Sequence, residues 1–313
     1  MLRGRQPMVG TGGGRAGGSR MAMLPPGPYA SPSRAAAAAG ATVAAAPYRM
    51  TRAVLFDLDD TLVGFRPGDP AALFRAGAER VYAYLSAHEL PMPAFEPFCR
   101  RQRWLQTRAS WATWLTGGEP DARRTLRKMC REFGLQRDES CLAKLGWLWY
   151  EPLVELTQVA ADVLPTLRLL RANDLRLGLV ANTPHLGAVV DQHLSDLGLL
   201  DLLPARAYSS EIGASKPHPH LFLHAMEQLG VSASETVLVG DDLKTDIVGA
   251  HAMGMTTVLL STDPPRAARH YANHVIEHLG ELAEVLQLRS TPATTTQSPI
   301  PPLQIDRPAL AAG

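Results

Sequence analysis

Between Ala53 and Val63 the chain reads AVLFDLDDTLV, an apolar run that stops at three carboxylates, Asp57, Asp59 and Asp60, followed by Thr61. An uninterrupted run of this kind suits a strand buried on both faces. Acidic residues just past the carboxyl end of such a strand fall where open α/β sheets gather their ligands. If the chain stays extended through Leu58, Asp57 and Asp59 share a side, because side chains two apart face the same way. Two carboxylates over one point can bind a hard cation, divide nucleophile and acid/base roles, or do both. The plainer alternative is that Asp60 or Thr61 caps the next element while the other acids are solvated.

Further polar groups follow the later apolar runs: Asn182 and Thr183 after Leu175–Ala181, then Asp241, Asp242 and Asp246 after Thr236–Val239. Lys216 stands in ASKPHPHLF, just before a proline-led helix. If the runs are parallel strands, these groups collect at one sheet edge. Acids gathered there repel one another unless a cation joins them, which implies a divalent metal. Oxygen-only ligands favour magnesium over zinc. Carboxylates, magnesium and one lysine suit a phosphate ester, with the cations neutralising phosphoryl oxygens while a carboxylate attacks.

DLDDTL, SKPHPHLF and VLVGDDLKTDIVGAHAMGM together resemble three of the four motifs of the haloacid dehalogenase-like hydrolase superfamily. The resemblance runs from about Thr51 to Leu288, and a helical insert after the first motif is similar to the branch holding phosphoglycolate phosphatases and haloacid dehalogenases. It implies Asp57 as a nucleophile forming an aspartyl-phosphate and Asp59 as the group that protonates the leaving alcohol and later deprotonates water. It also implies magnesium held by Asp57, the backbone carbonyl of Asp59 and Asp241, with Asp246 supporting that shell. Lys216 would steady nucleophile and phosphate, and Asn182 and Thr183 would lie at the phosphate. Asp242 stands where a serine is common. Asp59 favours phosphate chemistry, because the dehalogenases resembled here lack an acid at that position. In the second motif, Ala181 stands where the family usually carries a Ser or Thr hydroxyl that binds the transferring phosphoryl group. Thr183, or the amides of Asn182 and Thr183, could replace it.

These groups need a scaffold. Predicted strands at 53–56, 175–181, 205–209, 236–239, 256–260 and 274–276 alternate with predicted helices at 163–172, 183–197, 218–229 and 246–253. That alternation predicts an α/β fold, a Rossmann-like parallel sheet with helices on both faces. Between the first two strands lie over a hundred residues, too long for a loop. Asp69–Pro70 reads as an N-cap with proline at the first helical position. Pro91, Pro93 and Pro97 break that helix; a second ends at Gly117–Gly118, a third opens at Pro120, and a fourth covers about 139–156. The expected domains are a core of 50–65 and 159–288, a helical cap of 66–158, and disordered segments at 1–49 and 289–313. The cap is expected to be mobile and to close over its substrate.

All five tryptophans (104, 111, 114, 147 and 149) fall in that insert. They are expected to form its core, with Trp111 and Trp114 the exceptions that line a pocket. Arg100, Arg101, Arg103 and Arg108 fit solvated helix faces or contacts to an anionic substrate, and His218, His220 and His224 fit a solvated helix start rather than a metal cluster.

At 313 residues, net charge +1 and 46% apolar residues, the composition is that of a soluble globular protein, with no basic excess for nucleic acid. No apolar stretch is long enough to cross a bilayer. Three cysteines without C-x-x-C spacing argue against a disulfide framework and for a reducing, cytoplasmic compartment. Residues 1–49 contain no Asp or Glu and are rich in Gly, Ala, Pro and Arg. They read as an extension upstream of a start at Met50; organellar or exported location follows only if they are a targeting segment. The function expected is a magnesium-dependent phosphatase of a small phosphorylated metabolite. The alternatives are a weakened or inactive relative that binds a phosphorylated ligand without turnover, and a 2-haloacid dehalogenase.

Overall fold

The computed structural model describes residues 51–88, 92–116, 121–135 and 138–288, without the side chains of 106 and 108–116. The expectations for 1–49 and 289–313, Pro91, Gly117–Gly118 and Pro120, and for Trp111 and Trp114 as pocket walls and Arg108 as a solvated residue, lie outside what is described. The chain divides into two compact units: the described residues of Pro67–Pro120 and Arg124–Leu156, and those of Ala44–Arg66, Asp121–Arg123 and Thr157–Gly313.

The larger unit is a Rossmann-like α/β sheet. Its first strand, β1 (Ala53–Phe56), is buried along its whole length. Alternation sends Val54 and Phe56 into one apolar cluster with Leu167, Leu170 and Leu194. Ala53 and Leu55 join a second cluster with Leu221, Phe222 and Met226. Burial on both faces is what an all-apolar strand requires, each fully buried large side chain contributing roughly 1.5–3 kcal/mol. After β2 (Gly64–Phe65) the chain enters the helical unit, and it returns through β3 (Thr157–Gln158), antiparallel to β2. These two-residue strands are too short to carry a periodicity signal.

Then follow α-helical and strand segments in the expected alternation: β4 (Arg176–Ala181), β5 (Ala205–Tyr208), β6 (Thr236–Gly240), β7 (Thr256–Leu260) and β8 (His274–Ile276). The sheet order is β5-β4-β1-β6-β7-β8, and every pairing is parallel. β1 thus lies between β4 and β6, where the chain reverses its direction of travel across the sheet, the usual place for a ligand crevice.

In the helical unit, α1 (Pro70–Ala87) starts as expected: Asp69 accepts the Ala71 N–H at 2.9 Å and Pro70 is the first helical residue. It is followed by α2 (Phe95–Thr116), α3 (Ala122–Glu132) and α4 (Glu139–Val154). α1 and α4 approach closely at Gly77, where an added Cβ would meet Trp149 Cε3 at 2.8 Å. The tryptophan expectation is corrected here. Trp104 is 55% exposed, Trp147 and Trp149 are half-buried, and the interior is filled by Val81, Leu85, Phe98, Leu126, Leu142 and Leu145. Wide rings with a polar N–H settle at the margin, while smaller apolar side chains fill between helices. Arg100 and Arg103 are exposed, and Arg101 pairs with Glu132 at 2.9 Å.

In the core unit α5 (Val163–Ala172) matches the expected span. Two later helices differ from expectation. α6 begins at Gly187 and runs to Asp196, not from Thr183, because residues 182–186 make other bonds. After the four-residue α7 (Ser209–Ile212), α8 (Pro219–Leu229) is capped by His218, whose Nδ1 accepts the His220 N–H at 3.3 Å. The segment expected as a helix from Asp246 starts earlier, as a π-helical turn over Leu243–Ile247 that leads into α9 (Val248–Ala252). Among the described residues no helix is long and apolar enough to cross a membrane.

Candidate active site

β1 delivers Asp57 to the sheet edge. The Asp57 N–H donates to the Val239 carbonyl at 2.9 Å, extending the β1–β6 ladder one residue past Phe56. The chain then does not stay extended. The Leu58 carbonyl accepts from the Leu62 and Val63 N–H groups at 3.0 and 2.9 Å, closing a tight loop anchored by buried Leu58, Leu62 and Val63. Asp60 holds φ at +58°, a left-handed conformation that aspartate tolerates better than most residues. This loop, not strand alternation, sets Asp59 relative to Asp57.

β6 delivers the second set. Gly240 ends the strand, and Asp242 Oδ1 accepts the Lys244 and Thr245 N–H groups at 2.7 and 2.8 Å, so Asp242 is the N-cap of the turn that follows. Within that turn the Asp246 and Ile247 N–H groups both donate to the Asp242 carbonyl, at 3.0 and 3.3 Å. The widened turn brings Asp246 back over the strand end, where its Oδ2 accepts the Asp242 N–H at 3.2 Å. The approach needs glycine: a Cβ at Gly240 would lie 2.5 Å from Asp246 Oδ2.

Asp57, Asp241 and Asp246 come together here, each with an oxygen within 4.8 Å of the others. Lys216, almost fully buried, pairs with Asp57 and lies 2.7 Å from Asp246 Oδ1. Burial disfavours its ammonium, but the Asp57 and Asp246 carboxylates outweigh that and hold its pKa above the ordinary value. Asp241 is pushed up to about 7, by burial first and then by Asp57, Asp246 and Asp60. Asp246 is raised by burial, against the pull of Lys216. Three carboxylates and a single lysine leave the cluster short of positive charge. An oxygen-only donor set of this kind fits a hard divalent cation such as magnesium. No histidine joins the group among the described residues.

Asp59 is not one of that trio: the residue as a whole is exposed, but its carboxyl end is enclosed. Its carboxyl is pushed up to about 7 by burial, then by the charges of Asp57 and Asp60, with Lys216 pulling the other way. Near neutrality Asp59 is therefore divided between its protonated and ionised forms, while Asp57 is paired with an ammonium.

β4 supplies Ala181, Asn182 and Thr183. Asn182 uses both ends of its amide on the backbone of Lys216: Oδ1 accepts the N–H at 2.8 Å and Nδ2 donates to the carbonyl at 3.2 Å. It fixes the segment that carries the lysine. The Thr183 N–H donates to Ser209 Oγ at 2.9 Å, and Thr183 Oγ1 accepts the His185 N–H at 3.2 Å. The Thr183 amide is thus committed to Ser209 and is not the free donor expected in place of the hydroxyl missing at Ala181. Sequence reasoning overlooked the Asn182 clamp, the Ser209 tie and the Gly240 approach. Of these, only Gly240, immediately before two aspartates, carried a readable signal. Thr61 is buried beside this loop, and among the described residues its Oγ1 has no hydrogen-bond partner.

With this geometry in view, a family model described as haloacid dehalogenase-like hydrolase matches residues 51–254. The chain is 31% identical over 256 residues to a ribulose-1,5-bisphosphate 5-phosphatase of Halopiger xanaduensis, covering 76% of this chain and 100% of the relative. It is 26% identical over 247 residues to a phosphoglycolate phosphatase of Yersinia pseudotuberculosis, covering 78% and 96%. Among solved structures, a 2-haloacid dehalogenase from Pseudomonas syringae pv. Tomato DC3000 aligns with a TM-score of 0.50 at 29% identity, covering 76% of this chain and 99% of that one.

Proposed function

Because this chain belongs to the haloacid dehalogenase-like hydrolases, we propose that it is a magnesium-dependent phosphomonoesterase acting on a small phosphorylated metabolite through an aspartyl-phosphate. The observation that carries this reading is the division of labour among its carboxyls. Asp57 is paired with Lys216 beside Asp241 and Asp246, a set that fits a cation, while Asp59, two positions after Asp57, is outside that set and has its carboxyl raised to about 7.

In the first half-reaction an Asp57 oxygen attacks phosphorus, the ester P–O bond breaks, and Asp59 gives its proton to the departing alkoxide. In the second, Asp59, now a carboxylate, takes a proton from water as the water attacks phosphorus, and the bond from phosphorus to Asp57 breaks. Lys216 orients Asp57 and offers positive charge to the phosphoryl oxygens. Asp57, Asp241 and Asp246 would hold the cation, which when bound neutralises charge on the phosphoryl group. Asn182 acts through Lys216 by fixing its backbone. The Lys216 ammonium would donate to the phosphoryl group where Ala181 lacks a hydroxyl. The names of the relatives favour phosphorylated sugars and short phosphorylated acids.

The dehalogenase reading is favoured by the structural likeness at 29% identity. Asp59 opposes it, because a halide leaves without needing a proton. The test is release of inorganic phosphate from para-nitrophenyl phosphate and from a panel of phosphorylated sugars and acids, with and without magnesium, using Asp57→Asn as the blank. Magnesium-dependent release absent in the blank supports the proposal. Halide release from a 2-haloacid supports the dehalogenase, and no turnover of either class supports a binding protein.

A further inference from the structure

Away from the acidic site, the helical unit brings two thiols together. Cys130 near the end of α3 and Cys141 in the first turn of α4 are eleven positions apart in sequence, and their sulfurs are 3.9 Å apart. The local chain builds that approach. The Leu135 N–H donates to the Cys130 carbonyl at 2.9 Å, and Gly134 turns the chain at φ +67°. Asp138 caps α4 by accepting the Cys141 N–H at 2.8 Å. Cys130 is buried and Cys141 half-buried, and both are free thiols.

We propose that Cys130 and Cys141 are a covalent modification site, oxidised by a hydroperoxide to a disulfide that ties α3 to α4. A disulfide is about 2.05 Å long, so the sulfurs must close by about 2 Å for the bond to form. Burial, and then Cys141 itself, push the Cys130 thiol up to about 12, so Cys130 is not the first to react. Cys141, which solvent reaches, begins. Its sulfur attacks the peroxide, the O–O bond breaks, and Cys141 becomes a sulfenic acid while one water leaves. Cys130 sulfur then attacks Cys141 sulfur, the S–O bond breaks, and the hydroxyl departs with the Cys130 proton as a second water. Two thiols are oxidised by two electrons in total and one hydrogen peroxide is reduced. A thiol reductant reverses the change by exchange.

The test uses the full chain carrying Cys99→Ser, treated with an equimolar amount of hydrogen peroxide, blocked with a maleimide, digested and mapped by mass spectrometry. The expected result is a peptide pair joined through Cys130 and Cys141 with the loss of two hydrogens, and a raised melting temperature that dithiothreitol returns to its starting value. In Cys130→Ser, dimedone is expected to trap Cys141 as its sulfenic acid. The proposal is overturned if both thiols still react with maleimide after peroxide. It is equally overturned if Cys141 advances to a sulfinic acid while Cys130 stays free. Mapping of the chain that retains both thiols decides the matter even if Cys130→Ser does not fold.

Discussion

At the scale of single residues, chemistry depends on Asp59 offering a proton close in sequence to Asp57, which is paired with Lys216. Asp59, raised to about 7, is protonated below that value and loses its proton as pH rises through it. A proton donor of this kind makes kcat/KM fall about tenfold per pH unit above its pKa, and Asp59→Asn should lower kcat/KM by roughly 10²–10⁴-fold and erase that limb. A pH profile on an alkyl phosphate measures both. Ala181, buried at the end of β4, offers no hydroxyl. Ala181→Ser should therefore raise kcat, by up to about a hundredfold if the new hydroxyl reaches the phosphoryl group; an unchanged kcat would show that the site is complete without it. The aspartates were legible in the sequence because they follow apolar runs, and Lys216 because it stands just before a proline-led helix. Asn182 as a clamp was not, since its partner is a backbone 34 positions away and backbone groups leave no mark on sequence.

At the scale of elements, the π turn after β6 decides where Asp246 points, and Gly240 makes room for it. Gly240→Ala should displace that carboxylate, lowering kcat by at least about tenfold and costing about 1–3 kcal/mol of stability. Steady-state kinetics and urea unfolding of the variant check the pair of effects; full activity would mean that Asp246 is dispensable where it now lies. The spans of α5, β7 and β8 were read directly from hydrophobic pattern, because local periodicity and burial agree there. The delayed start of α6 was hidden, because Thr183–Pro184 has the composition of a helix start while its backbone is drawn to Ser209. The β2–β3 ribbon and the loop from Leu58 to Val63 likewise depend on partners that no short window contains.

At the scale of the whole molecule, the acidic cluster links folding to pH and to metal. Asp241 is raised from its ordinary 3.8 to about 7, so the folded chain keeps a proton that the unfolded chain releases. Without a cation, that contribution to stability is full at pH values below about 3.8 and is lost as pH rises toward about 7. A divalent cation needs the deprotonated carboxylates, so its stabilising effect grows over the same window. Magnesium at a hundred times its dissociation constant should add about 2.7 kcal/mol at pH 8 and distinctly less at pH 5.5. Thermal melts at the two pH values test this; equal shifts, or a larger one at pH 5.5, would contradict it. The alternation of strands and helices made the sheet legible at this scale, since six short strands separated by helices leave few topologies open.

The most direct test is acid quenching of the enzyme during turnover of a phosphate ester, followed by mass-spectrometric mapping of the phosphoryl group. The predicted result is an acid-stable, hydroxylamine-sensitive phosphoryl group on Asp57 that is absent from Asp57→Asn. Sustained turnover with no acyl phosphate, or with the phosphoryl group on another residue, would contradict it.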